Sequence, residues 1–188
     1  LSNPDVLRIV TERVLKELAA DPESKFVIVS QNDNYNHCTC AACGALDERE
    51  GSPMGSLLTF VNAVADAVAR RRPDALVGTL AYTYSRRPPR TVRPRPNVTI
   101  QLCSIECCMM HALDDPACPH NARFREDLEA WGRLCRRIGI WHYQVNFWSL
   151  LSPVPNLRSL GPTVRFFAAN GVKGLFMQSG SGTPASEM

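Results

Sequence analysis

Two carboxylates and a knot of cysteines are the residues whose types and spacing could do chemistry. Asp33 sits in Gln31-Asn32-Asp33-Asn34, directly after the apolar run Phe26-Val27-Ile28-Val29-Ser30. A carboxyl at the end of a buried strand is partly desolvated, which raises its pKa toward that of a general acid. The same tetrapeptide also reads as a polar turn in which Asp33 bonds its own backbone. Glu106 follows residues 97–103 in the same way. Two carboxyls about 5–9.5 Å apart are what glycosidic cleavage needs, whereas Glu106 alone also reads as a solvated loop acid.

Other apolar runs end in Tyr82-Thr83-Tyr84, in Asn146-Phe147-Trp148 and in Gln178-Ser179. Asn32, Asn34, Asn146 and Gln178 can bind hydroxyls, and Tyr82, Tyr84 and Trp148 can stack on C–H faces. Such a set suits a polyhydroxylated ligand. His142 lies on the polar parity of 140–147 with Gln144 and Asn146. It reads either as a ligand contact or as a satisfied core histidine.

Cys38, Cys40 and Cys43 form a C-x-C-x-x-C cluster beside His37. Thiolates at this spacing can share one Zn²⁺, which in structural sites takes four ligands. The fourth would come from His37 or from the 103–118 region, which holds Cys103, Cys107, Cys108, His111 and Cys118. Disulfides, among them Cys108 to Cys118, and buried reduced thiols are the other readings. Eight Cys in 188 residues are too few for a disulfide-stapled miniprotein. Any zinc here is structural, and no cofactor is required for carboxylate catalysis.

The elements that must carry these residues follow from periodicity. Asn3 and Pro4 open a helix over 4–20, with Val6, Leu7, Val10, Val14, Leu15 and Leu18 at helical spacing. Residues 26–30 read as a strand, and a long polar loop follows. A helix spans 54–71, strands span 76–82 and 97–103, a helix spans 123–138, and a strand spans 140–147. A helix over 158–170 and a strand over 173–178 complete the chain. Alternating strands and helices predict a parallel sheet with helical crossovers. Residues 83–96 are the exception, since four prolines forbid a helix there. That link is either an extended crossover or part of an antiparallel pair.

Strand parity separates two architectures. In 98–103, Val98, Ile100 and Leu102 alternate with Thr99, Gln101 and Cys103, and 140–147 alternates likewise. A doubly wound sheet, covered on both faces, would be apolar at both parities. One polar parity favours a (β/α)₈ barrel with helices outside. A full barrel needs about 250 residues. The expectation is therefore α/β: a single partial TIM-type barrel domain over 1–188. It holds about five of the later strands with outer helices, lacks the first units, and ends before a closing helix.

Composition narrows the partners. Twenty-one Lys and Arg against 18 Asp and Glu leave a net charge of +3, too weak a bias to indicate nucleic acid. Eight Arg lie within 70–95, with no interleaved aromatics beyond Tyr82 and Tyr84, and read as a solvated basic loop. No apolar run is long enough to span a bilayer. Gly180-Ser181-Gly182 follows a strand but lacks the lysine and spacing of a phosphate loop.

Residues 29–68, VSQNDNYNHCTCAACGALDEREGSPMGSLLTFVNAVADAV, resemble the bacterial domain-of-unknown-function family 4838 (DUF4838). So do TLAY (79–82) with Pro88-Pro89, Pro96-Asn97-Val98, YQVNFWSLLSPVPNL (143–157) and GVKGLFMQ (171–178). The resemblance implies a glycoside-hydrolase-like barrel acting on or binding carbohydrate, with Asp33 where a catalytic or substrate-binding acid would stand. It also implies an exported protein with other domains in a larger chain. Where many members carry an acid after the last strand, this chain has Gln178-Ser179. A non-catalytic carbohydrate-binding barrel and a metal- or disulfide-stabilised structural domain are the competing readings.

Overall fold

The computed structural model describes residues 1–150, 152 and 154–179. Gly180-Ser181-Gly182, read above as lacking the features of a phosphate loop, lies outside them. Five strands, β1 (Phe26–Ile28), β2 (Leu76–Ala81), β3 (Val98–Cys103), β4 (Ile138–Tyr143) and β5 (Gly174–Gln178), form one sheet in the order 1-2-3-4-5. Every neighbouring pair is parallel. An order without reversal is the winding of a barrel, since a doubly wound sheet reverses at a switch point. The sheet curls into a half-barrel flanked by helices.

Helix α1 (Pro4–Ala20) starts where Asn3 accepts the Asp5 and Val6 backbone N–H groups. Helix α3 (Met54–Arg71) presents Leu58, Val61, Val64, Ala65 and Val68 to the sheet, all buried. Opposite stand Val77, Ile100, Leu102, Ile138 and Ile140, joined by Phe124, Leu128 and Trp131 of α4 (Ala122–Leu134) and Phe167 of α5 (Leu157–Ala169). This is the main core, and it lies on the helix side.

Three links differ from the sequence expectation. The polar loop contains a helix, α2 (Ala41–Glu50), closed by Gly51 in the left-handed region. Its buried residues are Cys43, Asp47 and Glu50, so no apolar stripe betrays it. Asp47 accepts the Ser56 N–H at 2.7 Å and so caps α3. Gly55 permits the close approach: a Cβ there would lie 2.7 Å from Glu50 Cβ.

The second difference is the Pro-rich link. It leaves β2 through a 3₁₀ turn (Thr83–Ser85) and crosses as irregular backbone, without a helix, to a parallel β3, which removes the antiparallel alternative. It is also not simply a solvated basic loop. Arg72 bonds the Leu18, Pro22 and Ser24 carbonyls, and Arg95 holds Asp66 through both Nε and Nη2. Arg86, itself buried, pairs with Glu106 at 2.5 Å and Asp127 at 2.8 Å. Trp131 Nε1 donates to the Arg86 carbonyl. Side-chain bonds from flanking helices replace the packing that a crossover helix would give.

Third, β4 begins at Ile138 and ends at Tyr143, so residues 144–147 leave the sheet. Residues opposite one another in a parallel pair share a face. Cys103 opposes Trp141, and Leu102 opposes Ile140. Trp141 and Tyr143 therefore face the barrel interior, while His142 shares the helix side with Ile138 and Ile140. The polar parity does face inward in β3, but in β4 the inward parity is the aromatic one.

Candidate functional site

A pocket of about 350 Å³ opens at the carboxyl ends of the strands. Its lining includes Asp33 and Asn32 after β1, Tyr82 after β2, Cys103 of β3, Trp141 and Tyr143 of β4, and Gln178 of β5. All five strand ends contribute. In parallel α/β folds this is where ligands bind, because the connecting loops gather there.

Asp33 accepts a hydrogen bond from the Tyr82 hydroxyl at 3.1 Å. Burial, followed by the adjacent Asp33 carboxylate, pushes Tyr82 up to about 12, so it remains a phenol and a donor. Asp33 is itself exposed, so the desolvation expected at the end of a buried strand does not reach it. Trp141 Nε1 donates to Gln178 Oε1 at 2.7 Å, which fixes the indole at the pocket wall. The Trp141 ring meets Phe176 edge-on, with centroids 4.8 Å apart. Cys103 lies beneath, its thiol pushed up to about 12 by burial, and so is inert.

The backbone next to this pair is strained. Thr83 has φ +48°, a left-handed conformation that a β-branched residue rarely adopts. Gln31 lies beside it, donating to Thr83 Oγ1 and accepting from Ser85 Oγ. Strain of this kind persists only where the surroundings enforce it, and it clusters at functional sites.

The other expected site residues are scattered. Glu106 does not line the pocket; its carboxylate is held by Arg86, so it is not paired with Asp33. His142 is buried behind the sheet, with Nδ1 2.6 Å from Ser104 Oγ and its ring edge-on to Phe167. Burial lowers it to about 4, so it is a neutral core histidine rather than a ligand contact. Asn34 bonds the Asn36 N–H within the polar turn, Tyr84 packs on His37, and Asn146 accepts from the Trp148 N–H. Trp148 is 100% exposed and touches no pocket wall. The structure instead adds Trp141, Tyr143, Ile105 and Phe147. Pairing of Trp141 with Cys103 of β3, and of Tyr143 with Gln178 of β5, turns the first two inward, and no local signal in the sequence gives that register.

Five of the eight cysteines fall into two groups. Cys38, Cys40 and Cys43, around the start of α2, bring their sulfurs within 4.8 Å of one another. Cys38 Sγ to Cys40 Sγ is 3.5 Å. Hydrogen bonds from Ser2, the Cys43 backbone and Cys38 lower Cys40 to about 6, which favours the thiolate a metal requires. Three soft ligands so placed can hold a metal ion. The fourth ligand expected from His37 or from 103–118 is not supplied. His37 stacks on Tyr84, and Cys108, His111 and Cys118 form a group of their own.

The family model for a domain of unknown function, DUF4838, matches residues 1–188. The chain belongs to the DUF4838 family. No curated protein and no solved structure matches it. The half-barrel, its rim pocket and its thiol clusters are thus the physical description of this DUF4838 domain, and none of the described helices is long and apolar enough to cross a membrane.

Proposed function

We propose that this DUF4838 domain is carbohydrate-active, and that its rim pocket binds one saccharide unit with Asp33 and Tyr82 as the polar anchor. The observation that carries this reading is the composition of the pocket wall. Four aromatic rings, Tyr82, Trp141, Tyr143 and Phe147, share it with Gln31, Asn32, Asp33 and Gln178. Ring faces cover the C–H side of a sugar, while carboxylate and amides take its hydroxyls. Few well-placed polar groups in a mainly apolar cleft are the usual make-up of a small-molecule site.

Hydrolysis is the second reading, with Asp33 as general acid. It needs a second carboxyl about 5–9.5 Å away, and among the described residues Asp33 is the only acid lining the pocket. Binding is therefore the reading that the geometry favours. Calorimetric titration with a panel of neutral and acidic oligosaccharides tests it. Trp141→Ala should weaken the best ligand by about tenfold or more, the loss of about 1.4 kcal/mol. Absence of binding across the panel, or an unchanged Kd in Trp141→Ala, would remove the pocket from consideration. Turnover of aryl glycosides by wild type but not Asp33→Asn would promote the hydrolytic reading.

A further inference from the structure

The loop from β3 to α4 holds a second group of soft ligands, well separated in sequence from the C-x-C-x-x-C cluster. Cys108, His111 and Cys118 place two sulfurs and an imidazole nitrogen within 4.8 Å of one another. Cys108 Sγ lies 3.3 Å from His111 Nδ1. We propose that these three residues form a second zinc site, independent of the Cys38/Cys40/Cys43 group, with water as the fourth ligand.

The loop is ordered around these positions by bonds that need no metal. Asn121, fully buried, accepts from the Cys108 N–H at 2.8 Å and donates to the Cys108 and Ala112 carbonyls. One side chain thus clamps both ends of the turn that carries His111. Thr163 of α5 accepts from the Leu113 N–H, Ser159 donates to the Met109 carbonyl, and Arg125 of α4 donates to the Asp115 carbonyl. Cys118 is buried, and its N–H bonds the Asp115 carbonyl. These bonds hold the loop backbone, so the three ligand side chains are brought together without an ion.

The donor chemistry is selective. A disulfide between Cys108 and Cys118 would have no use for the imidazole, whereas S₂N is a zinc donor set. Neighbouring Cys107 is buried, its thiol pushed up to about 12 by desolvation, and takes no part. Binding replaces two thiol protons, released to solvent, with one Zn²⁺; two thiolates and a neutral histidine leave the site uncharged.

The test uses the full-length protein with Cys38, Cys40 and Cys43 all changed to Ser, prepared metal-free under reductant and titrated with Co²⁺. One cobalt per chain should bind, with a thiolate-to-cobalt charge-transfer band and tetrahedral d–d absorption. His111→Ala, at an exposed position, should weaken binding by at least about tenfold, and His111→Cys should restore it. Cys118→Ser should abolish the charge-transfer band. The proposal is overturned by absence of that band, or by a band unaffected by His111→Ala and Cys118→Ser. It is equally overturned by a Cys108–Cys118 disulfide, found by peptide mapping, in protein isolated without metal.

Discussion

Glu50 shows what a single residue contributes here. It ends α2 with no exposed surface, yet it is charged. Burial alone would raise its pKa. Hydrogen bonds from the Thr91 hydroxyl and from the Thr91 and Val92 N–H groups outweigh that and lower it to about 2. The folded-state pKa lies below the unfolded value, so this stabilisation is complete above about pH 5 and is lost as pH falls toward 2. Glu50→Gln turns an amide NH₂ toward backbone donors and should cost about 2–4 kcal/mol in urea unfolding at pH 7. The gap between wild type and variant should narrow as the pH is lowered through that window. Thr83 gives the opposite sign. Thr83→Gly relieves the left-handed strain and should raise stability by up to about 1 kcal/mol, while a saccharide Kd that worsens in the same variant would show that the strain shapes the pocket.

At the scale of elements, the Pro-rich crossover is held by ion pairs of unequal value. Arg86 is buried with two acidic partners, and Asp127 beside it is largely covered. Removing it leaves carboxylates without their counter-charge, so Arg86→Ala should cost about 3–5 kcal/mol. Arg95 and Asp66 are both about half exposed, and Arg95→Ala should cost no more than about 1 kcal/mol. Chemical denaturation of the two variants distinguishes them. Equal losses would mean that the crossover is pinned by its backbone rather than by Arg86. This element was half legible in the sequence. Its prolines excluded a helix, but nothing local revealed that Arg95 pairs with Asp66 of α3 and Arg86 with Asp127 of α4.

For the whole molecule, the inner face of the sheet is where apolar surface stays uncovered. Phe26, Ile28 and Phe176 stand 45%, 59% and 50% exposed around an apolar hollow also lined by Leu80 and Trp141. Among the described residues, β1 and β5 are the two edges of the sheet. Apolar surface beside unpaired strand edges favours association. Residues 1–188 expressed alone should therefore self-associate in light scattering, and Ile28→Lys with Phe176→Lys should shift them toward monomer. A monodisperse wild-type monomer would show that this face is tolerated in water.

Sequence by itself determined the alternation of strands and helices, the capped start of α1 and the inward polar parity of β3, because these depend on local spacing and backbone chemistry. It also placed Asp33 and Tyr82 at strand ends, where the structure joins them. Tertiary structure decided the rest. Register carried His142 to the helix side and Trp141 to the pocket, since a strand residue's face depends on its partner. An arginine distant in sequence claimed Glu106. Burial of Asp47 and Glu50 against α3 and the crossover hid α2 from any reading based on apolar periodicity. Five cysteines parted into two groups because His37 found Tyr84 and Asn121 folded the second loop on itself, contacts that no local spacing encodes.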